Sequence, residues 1–229
     1  SIEYYFSRTG FAALGLFRRD MRNFISNRAF EFPVPDPETG LPLVFTGPVN
    51  TRTAKIRGFE AQFSSFFDFL PGALAGLGAQ ANVTYIDAKA DFLIFPEDHP
   101  NHAVINTRIP DVSKWTYNLV GMYERGGLTA RLAYNRRTGF PEGDLAERDN
   151  FFTLQGRGHA VSRLDWSSSY AVNDKLTFFF DWTNLLGNPF RSDIVRVNYP
   201  GGDPSAEEIF PMLVRFEESV ISTGIRFRF

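Results

Sequence analysis

Residues 128–137 read LTARLAYNRR, and their order decides the fold. Leu128, Ala130, Leu132 and Tyr134 take one set of alternate positions. Thr129, Arg131, Ala133, Asn135 and Arg137 take the other. A period of two puts successive side chains on opposite faces of a strand, whereas a helix needs apolar spacing of three or four. The division recurs on both sides of this stretch. Leu77, Ala79, Ala81, Val83 and Tyr85 alternate with Gly78, Gln80, Asn82 and Thr84. Ala160, Leu164, Trp166 and Tyr170 alternate with His159, Arg163, Asp165, Ser167 and Ser169, with Val161 as the exception. Leu176, Phe178, Phe180 and Trp182 alternate with Lys175, Thr177, Asp181 and Thr183. Ile221, Thr223, Ile225, Phe227 and Phe229 oppose Ser222, Gly224, Arg226 and Arg228.

The pattern predicts about nine strands, at 1–6, 11–26, 52–69, 76–90, 113–124, 128–138, 158–170, 175–185 and 212–229. Many reach the ~9–11 residues that a tilted strand needs to cross a bilayer, beyond the ~5–6 usual in globular sheets. Connections alternate between short, at 7–10, 71–75, 125–127 and 171–174, and long, near 27–51, 91–112, 139–157 and 186–211. Short turns at one end and long loops at the other are the habit of outer-membrane barrels; four structureless loops beyond ~12–15 residues would be unusual in a compact soluble domain. The fold class expected is therefore all-β: a segment of a transmembrane antiparallel up-and-down β-barrel. A complete small barrel acting as a passive pore or adhesin, and a soluble sugar-binding β-sandwich, are the alternatives. An odd strand count leaves an edge open, so the pattern also predicts a portion of something larger.

Composition supports this reading. Of 229 residues 25 are Phe, and aromatics reach 16%, more rings than a soluble core of this size would hold. No apolar run approaches the ~18–20 residues of a membrane helix; the longest candidate, 66–79, carries Asp68, Pro71 and three glycines. A net charge of -2 argues against a nucleic-acid partner, and the absence of Cys excludes disulfides and thiolate metal sites. Glu97, Asp98, His99 and His102 form the most metal-like loop, but two imidazoles and two carboxylates in a loop are more often solvated, and no metal or other cofactor is expected. The carboxylates of 143–150 lack calcium-loop spacing. There is no Gly-x-Ser-x-Gly, His-Glu-x-x-His or phosphate loop, and no catalytic residue is assigned; the chain is not expected to be an enzyme.

Gly58-Phe59-Glu60, then 66–72 (FFDFLPG), 76–85 (GLGAQANVTY), 109–113 (IPDVS) with Tyr117-Asn118, 130–137 (ARLAYNRR) and Asn184-Leu185, in this order and closed by Phe229, resemble the C-terminal barrel of TonB-dependent receptors. The wording is most similar to the branch found in Caulobacter- and Xanthomonas-type bacteria. The resemblance implies nine C-terminal strands of a 22-stranded plugged barrel, with 1–229 as its C-terminal portion and the N-terminal plug and earlier strands absent from this chain. It implies active uptake of a scarce nutrient across the outer membrane of a Gram-negative bacterium, driven by the TonB complex through the missing N-terminal region. Carbohydrate or another organic substrate is favoured over a ferric siderophore on resemblance alone. Phe227 and Phe229 resemble the terminal signal read by the barrel-assembly machinery.

In such a barrel the polar positions Glu60, Gln62, Asn82, Thr84, Asn118, Arg131, Asn135, Arg163, Asp165, Asp181 and Arg226 line the lumen, as plug contacts or as a hydrated, internally paired wall. Trp115, Tyr134, Trp166, Tyr170 and Trp182 are candidates for aromatic belts. Outer-membrane lipid is a partner, and Lys55 and Arg57 are placed either to meet lipopolysaccharide phosphates or to be solvated as ordinary surface charge. A small-molecule substrate would bind on the extracellular loops, where Phe151, Phe152, Tyr199 and Phe210 are the candidate stacking residues, with packing of the loops on one another as their alternative and more common role.

Overall fold

The computed structural model describes residues 1–23, 25–31, 35–40, 44–50, 53–94, 103–148, 152–198 and 208–229. The strands in chain order are β1 (Ile2–Tyr5), β2 (Phe11–Arg22), β3 (Ile25–Glu31), β4 (Val44–Asn50), β5 (Thr53–Phe66), β6 (Leu77–Ile94), β7 (Ala103–Arg108) and β8 (Trp115–Arg125). They continue as β9 (Leu128–Arg137), β10 (Phe140–Arg148), β11 (Phe152–Gly158), β12 (Val161–Asn173), β13 (Leu176–Thr183), β14 (Phe190–Asn198), β15 (Glu208–Arg215) and β16 (Val220–Phe227). A 3-10 turn, Gly72–Gly76, joins β5 to β6, and no helix among the described residues is long and apolar enough to cross a membrane.

Nine strands form one antiparallel meander in the order β1-β2-β5-β6-β8-β9-β12-β13-β16. Eight of them match strands expected from the alternation to within a few residues, and β16 is the second part of the ninth. The short connections are tight turns. Between β8 and β9 only Gly126 and Gly127 intervene, both at positive φ (58° and 80°), the geometry of a two-residue hairpin that non-glycine residues adopt reluctantly. Between β12 and β13, the Asn173 side-chain oxygen accepts from the amides of Lys175 and Leu176.

The long connections differ from expectation. They are not structureless: β3 pairs β4, β7 adds to β6, and β10-β11-β14-β15 make a four-stranded sheet. Each continues a strand of the meander after a break of a few residues, as at 138–139 between β9 and β10 and at 159–160 between β11 and β12. The cause is backbone pairing. Two chains leaving neighbouring strands side by side satisfy their N–H and C=O groups most fully by extending the ladder. Likewise the strand expected over 212–229 is two strands, broken at 216–219.

Register separates the faces. On one face Ala13, Gln62, Asn82, Asn118, Asn135 and Arg163 stand side by side across six strands. One residue away, Leu119, Tyr134 and Leu164 form a row on the other face, as do Leu132, Trp166, Trp182 and Ile221. The apolar face is bare: Leu16 is 77% exposed, Ile225 62% and Phe178 44%. The buried apolar side chains among the described residues, such as Ala90, Phe92, Ile109, Phe140 and Phe190, all belong to the long-hairpin end, and none sits mid-sheet on this face. A soluble sandwich requires a second layer over these rings. The smaller sheets prolong the meander instead of covering it.

One hairpin tip carries its own capping device. The Asp36 carboxylate accepts from the amides of Glu38 (2.8 Å) and Thr39 (2.9 Å), while Gly40 donates back to the Asp36 carbonyl (2.8 Å). These amide donors hold the Asp36 carboxyl below the usual carboxylate range. A depressed pKa means the turn is supported above the ordinary carboxyl value of ~3.9 and loosens as pH falls through the lower folded value. Asp36→Ala is therefore expected to speed amide exchange at Glu38, Thr39 and Gly40 at neutral pH, whereas Asp36→Asn, which keeps the oxygen acceptor, should largely retain protection. Equal exchange in both variants would refute the capping role.

Candidate functional site

The polar face is the first surface to consider. Glu60, Asn82, Asn118, Arg131, Asn135, Arg163, Asp165, Asp181 and Arg226 all fall on it by register, as do Gln62 and Thr84. Val161, the exception to alternation, pairs with Arg137 on this same side. Part of the wall is internally bonded. Ser167 donates to Asp181 (2.6 Å), Arg163 pairs with Asp165 (2.8 Å), and Asp165 also accepts from the Asn184 amide (2.8 Å). The Arg226 guanidinium lies over the Phe179 ring at 4.9 Å. Such exposed pairs contribute little stability, ~0–1 kcal/mol each, and serve mainly to orient the groups.

The opposite face bears Trp115, Tyr134, Trp166, Tyr170 and Trp182. Phe59, Tyr85 and Trp115 adjoin across three strands, with Tyr85 and Trp115 ring centroids 4.8 Å apart. Just beyond this aromatic row, toward the long hairpins, the same face turns ionic: Arg18 pairs with Asp20 and Arg57 with Asp87, each at 2.9 Å, and Lys55 stands opposite Lys89. Aromatic residues giving way to charge along one face is the profile of a strand leaving hydrocarbon for headgroups.

At the long-hairpin end, Ile109 and the connection to β8 fold against the sheet. Ile109 packs with Ala54, Ala88, Ala90 and Phe92, and Val112 joins this cluster. From there the segment reaches β9 and β10: the Asp111 amide donates to the Pro141 carbonyl (2.7 Å), and Ser113 donates to the Thr138 carbonyl (2.7 Å). Asp111 holds φ at 62°, a left-handed conformation that Asp tolerates better than most residues. Arg108 donates to the carbonyls of Val112 (2.9 Å) and Gly139 (3.2 Å).

Beside this clasp lies a cavity of about 560 Å³, lined from β7, β10, β11 and β14 and including Arg108, Phe140, Gln155, Arg157, His159 and Val195. Gln155, Arg157 and His159 alternate with Gly156 and Gly158, whose missing side chains leave room for Glu142 and the Phe140 ring on the other side of the strand. His159 bonds Asp193 through Nε2 at 2.6 Å.

Two of the four stacking candidates lie on strands. Phe210 lies on strand β15, half exposed, and not in a loop. Phe152 opens strand β11, with its side chain outside the described residues, as are Phe151 and Tyr199 altogether. The loop with Glu97, Asp98, His99 and His102 also falls outside them; among the described residues no metal-binding group of side chains is present. Phe227 pairs with Leu176, and its ring meets that of Phe229 at 5.3 Å. Nothing in the sequence singled out Arg108 and Arg157. The one local sign was the glycine-polar alternation of 155–159 (QGRGH), which marks a strand with one deliberately bare face.

A family model described as TonB dependent receptor-like, beta-barrel matches residues 1–185. The chain belongs to that family. No curated protein matches it. Among solved structures it is similar to the siderophore receptor PirA from Acinetobacter baumannii, with 16% identity and a TM-score of 0.48 over 80% of this chain. It spans 26% of that structure's length. By the family match, the meander is a segment of a TonB-dependent receptor-like barrel.

Proposed function

We propose that residues 1–229 are the C-terminal barrel portion of an outer-membrane receptor for TonB-dependent active uptake of a scarce nutrient in a Gram-negative bacterium. The observation that carries this reading is the two-faced register in a chain of the receptor-barrel family. The bare apolar face meets lipid, where no water remains and every backbone polar group must be paired between strands. The polar face encloses a lumen in which Glu60, Asn82, Asn118, Arg131, Asn135, Arg163, Asp165, Asp181 and Arg226 contact the receptor's own N-terminal plug. Their mixed charges bond a polar plug while leaving it able to move. TonB acts on the N-terminal region outside this chain. The long hairpins form the extracellular rim, Lys55 and Arg57 adjoin lipopolysaccharide, and Phe151, Phe152, Tyr199 and Phe210 surround the point of substrate arrival. Phe227 and Phe229 act as the assembly signal. The cargo is a carbohydrate, another organic molecule or a ferric siderophore.

A strain lacking the full-length receptor is expected to lose growth on one carbon or iron source, and removal of TonB should reproduce that loss. Growth equal to the parent on every source in a panel of single carbon and iron sources would sink the uptake reading.

A further inference from the structure

We propose that the rim cavity beside Arg108 binds a small organic polycarboxylate, the receptor's cargo or a part of it; this deepens the uptake reading and rests on it. Of 229 residues 26 are Asp or Glu and 24 Lys or Arg, yet among the described residues the cavity lining holds two arginines, one histidine and no acidic residue. The two guanidiniums give this lining a positive bias, of which Asp193, bonded to His159 and opposite Arg157 in the ladder, takes up part, and that bias is complementary to negative charge. Guanidinium groups match carboxylates in shape as well as sign, offering paired N–H donors in one plane. Its volume, about 560 Å³, lies in the range that accepts a small organic molecule but exceeds what an inorganic ion would fill.

Arg108 is held before any ligand arrives. Arg108 is fixed through Nη2 by the Val112 and Gly139 carbonyls, and these in turn are set by the Ile109 cluster and the Asp111–Pro141 bond. Arg157 projects from β11 on the same side as Gln155 and opposite Asp193 in the ladder. His159 follows two residues on, oriented by Asp193. Burial pulls the Arg108 guanidinium below its ordinary pKa, against the opposing pull of Asp87. Asp87 is itself bonded by Arg57. A bound carboxylate therefore offsets a desolvation that the protein meets only in part. Phe140, Pro141 and Val195 supply apolar contact for the carbon body of the ligand.

Positive charge is thus positioned along a fixed wall, and affinity should depend on it directly. The test uses the full-length receptor in detergent micelles, with citrate as probe and sucrose as the uncharged comparator, followed by titration calorimetry. Citrate should bind and sucrose should not, and affinity should fall as salt rises. Arg157→Gln should weaken citrate about ten- to a hundredfold, the effect of removing one charge-assisted pair, and Arg157→Lys should recover part of it. Arg108→Gln should do the same, with heat-modifiable mobility on gels confirming that each variant remains folded. Sucrose binding in place of citrate, citrate binding unchanged by the Arg157 variants, or no citrate binding to folded wild type would each overturn the proposal. The uptake reading is judged separately by the growth panel: a receptor that supports TonB-dependent growth but ignores citrate loses the polycarboxylate site and keeps its transport role.

Discussion

A Gly58→Val receptor should be strongly destabilised, among the largest single-residue effects expected in the meander. Position 58 lies mid-strand on β5, directly opposite Phe17 on β2 and Ile86 on β6. A Cβ there would collide with the Tyr85 carbonyl oxygen and stand 2.7 Å from the Phe17 ring. The carbonyl belongs to the hydrogen-bonded ladder and cannot swing aside, so the strand itself must shift. Overpacking against backbone costs roughly 3 kcal/mol. Gly121, on β8, is the control: a Cβ added there would have nothing within 4 Å, and Gly121→Val should be tolerated. Urea unfolding of the micelle-borne receptor, followed by heat-modifiable mobility, compares the two directly. Equal midpoints would mean that β5 and β6 do not approach as closely as described.

Leu132→Arg and Ala133→Arg, neighbours in sequence, should differ sharply. Leu132 sits centrally on β9 in the apolar row with Trp166, Trp182 and Ile221. A charge facing lipid near the bilayer midplane costs ~2–4 kcal/mol. Ala133 faces the other way, beside Asp165, and an arginine there gains an opposite charge in a hydrated setting, with an expected change within ~1 kcal/mol. Unfolding free energies of the two variants in liposomes read the difference. The reverse order would turn the barrel inside out and remove the membrane assignment with it.

Much of this was legible in the sequence, for a physical reason. A strand that separates two solvents must write both on alternate residues, so LTARLAYNRR at 128–137 announces its own faces without reference to any partner. The nine meander strands and the side taken by each polar residue follow from that rule alone. The rim was not legible. There β11 pairs with β14, some forty residues away (Gly158 with Ser192, Phe152 with Asn198), and both flanks face protein or water. Without two solvents to satisfy, 139–157 keeps no sustained apolar–polar alternation, and its Gly139, Pro141, Gly143 and clustered charges read as loop. The cavity was hidden for the same reason. Arg108 and Arg157 come to line one cavity through the Ile109 clasp and the β10–β11 ladder, whose one trace in the sequence is the glycine alternation of 155–159. The break at 216–219 was missed because Asn184, φ 53°, secures it from a distance by donating to the Glu217 and Glu218 carbonyls.

The ladders differ in how they keep count. From β5 through β6, β8 and β9 to β12 every pair stays in step, whereas the rim slips between Glu142 and Ala146 and again between Ser192 and Asp193. Inserting one residue into the wall would swap oil and water for everything beyond it on that strand. The rim already absorbs such irregularities, so a change of length there should cost far less than one in the middle of the wall.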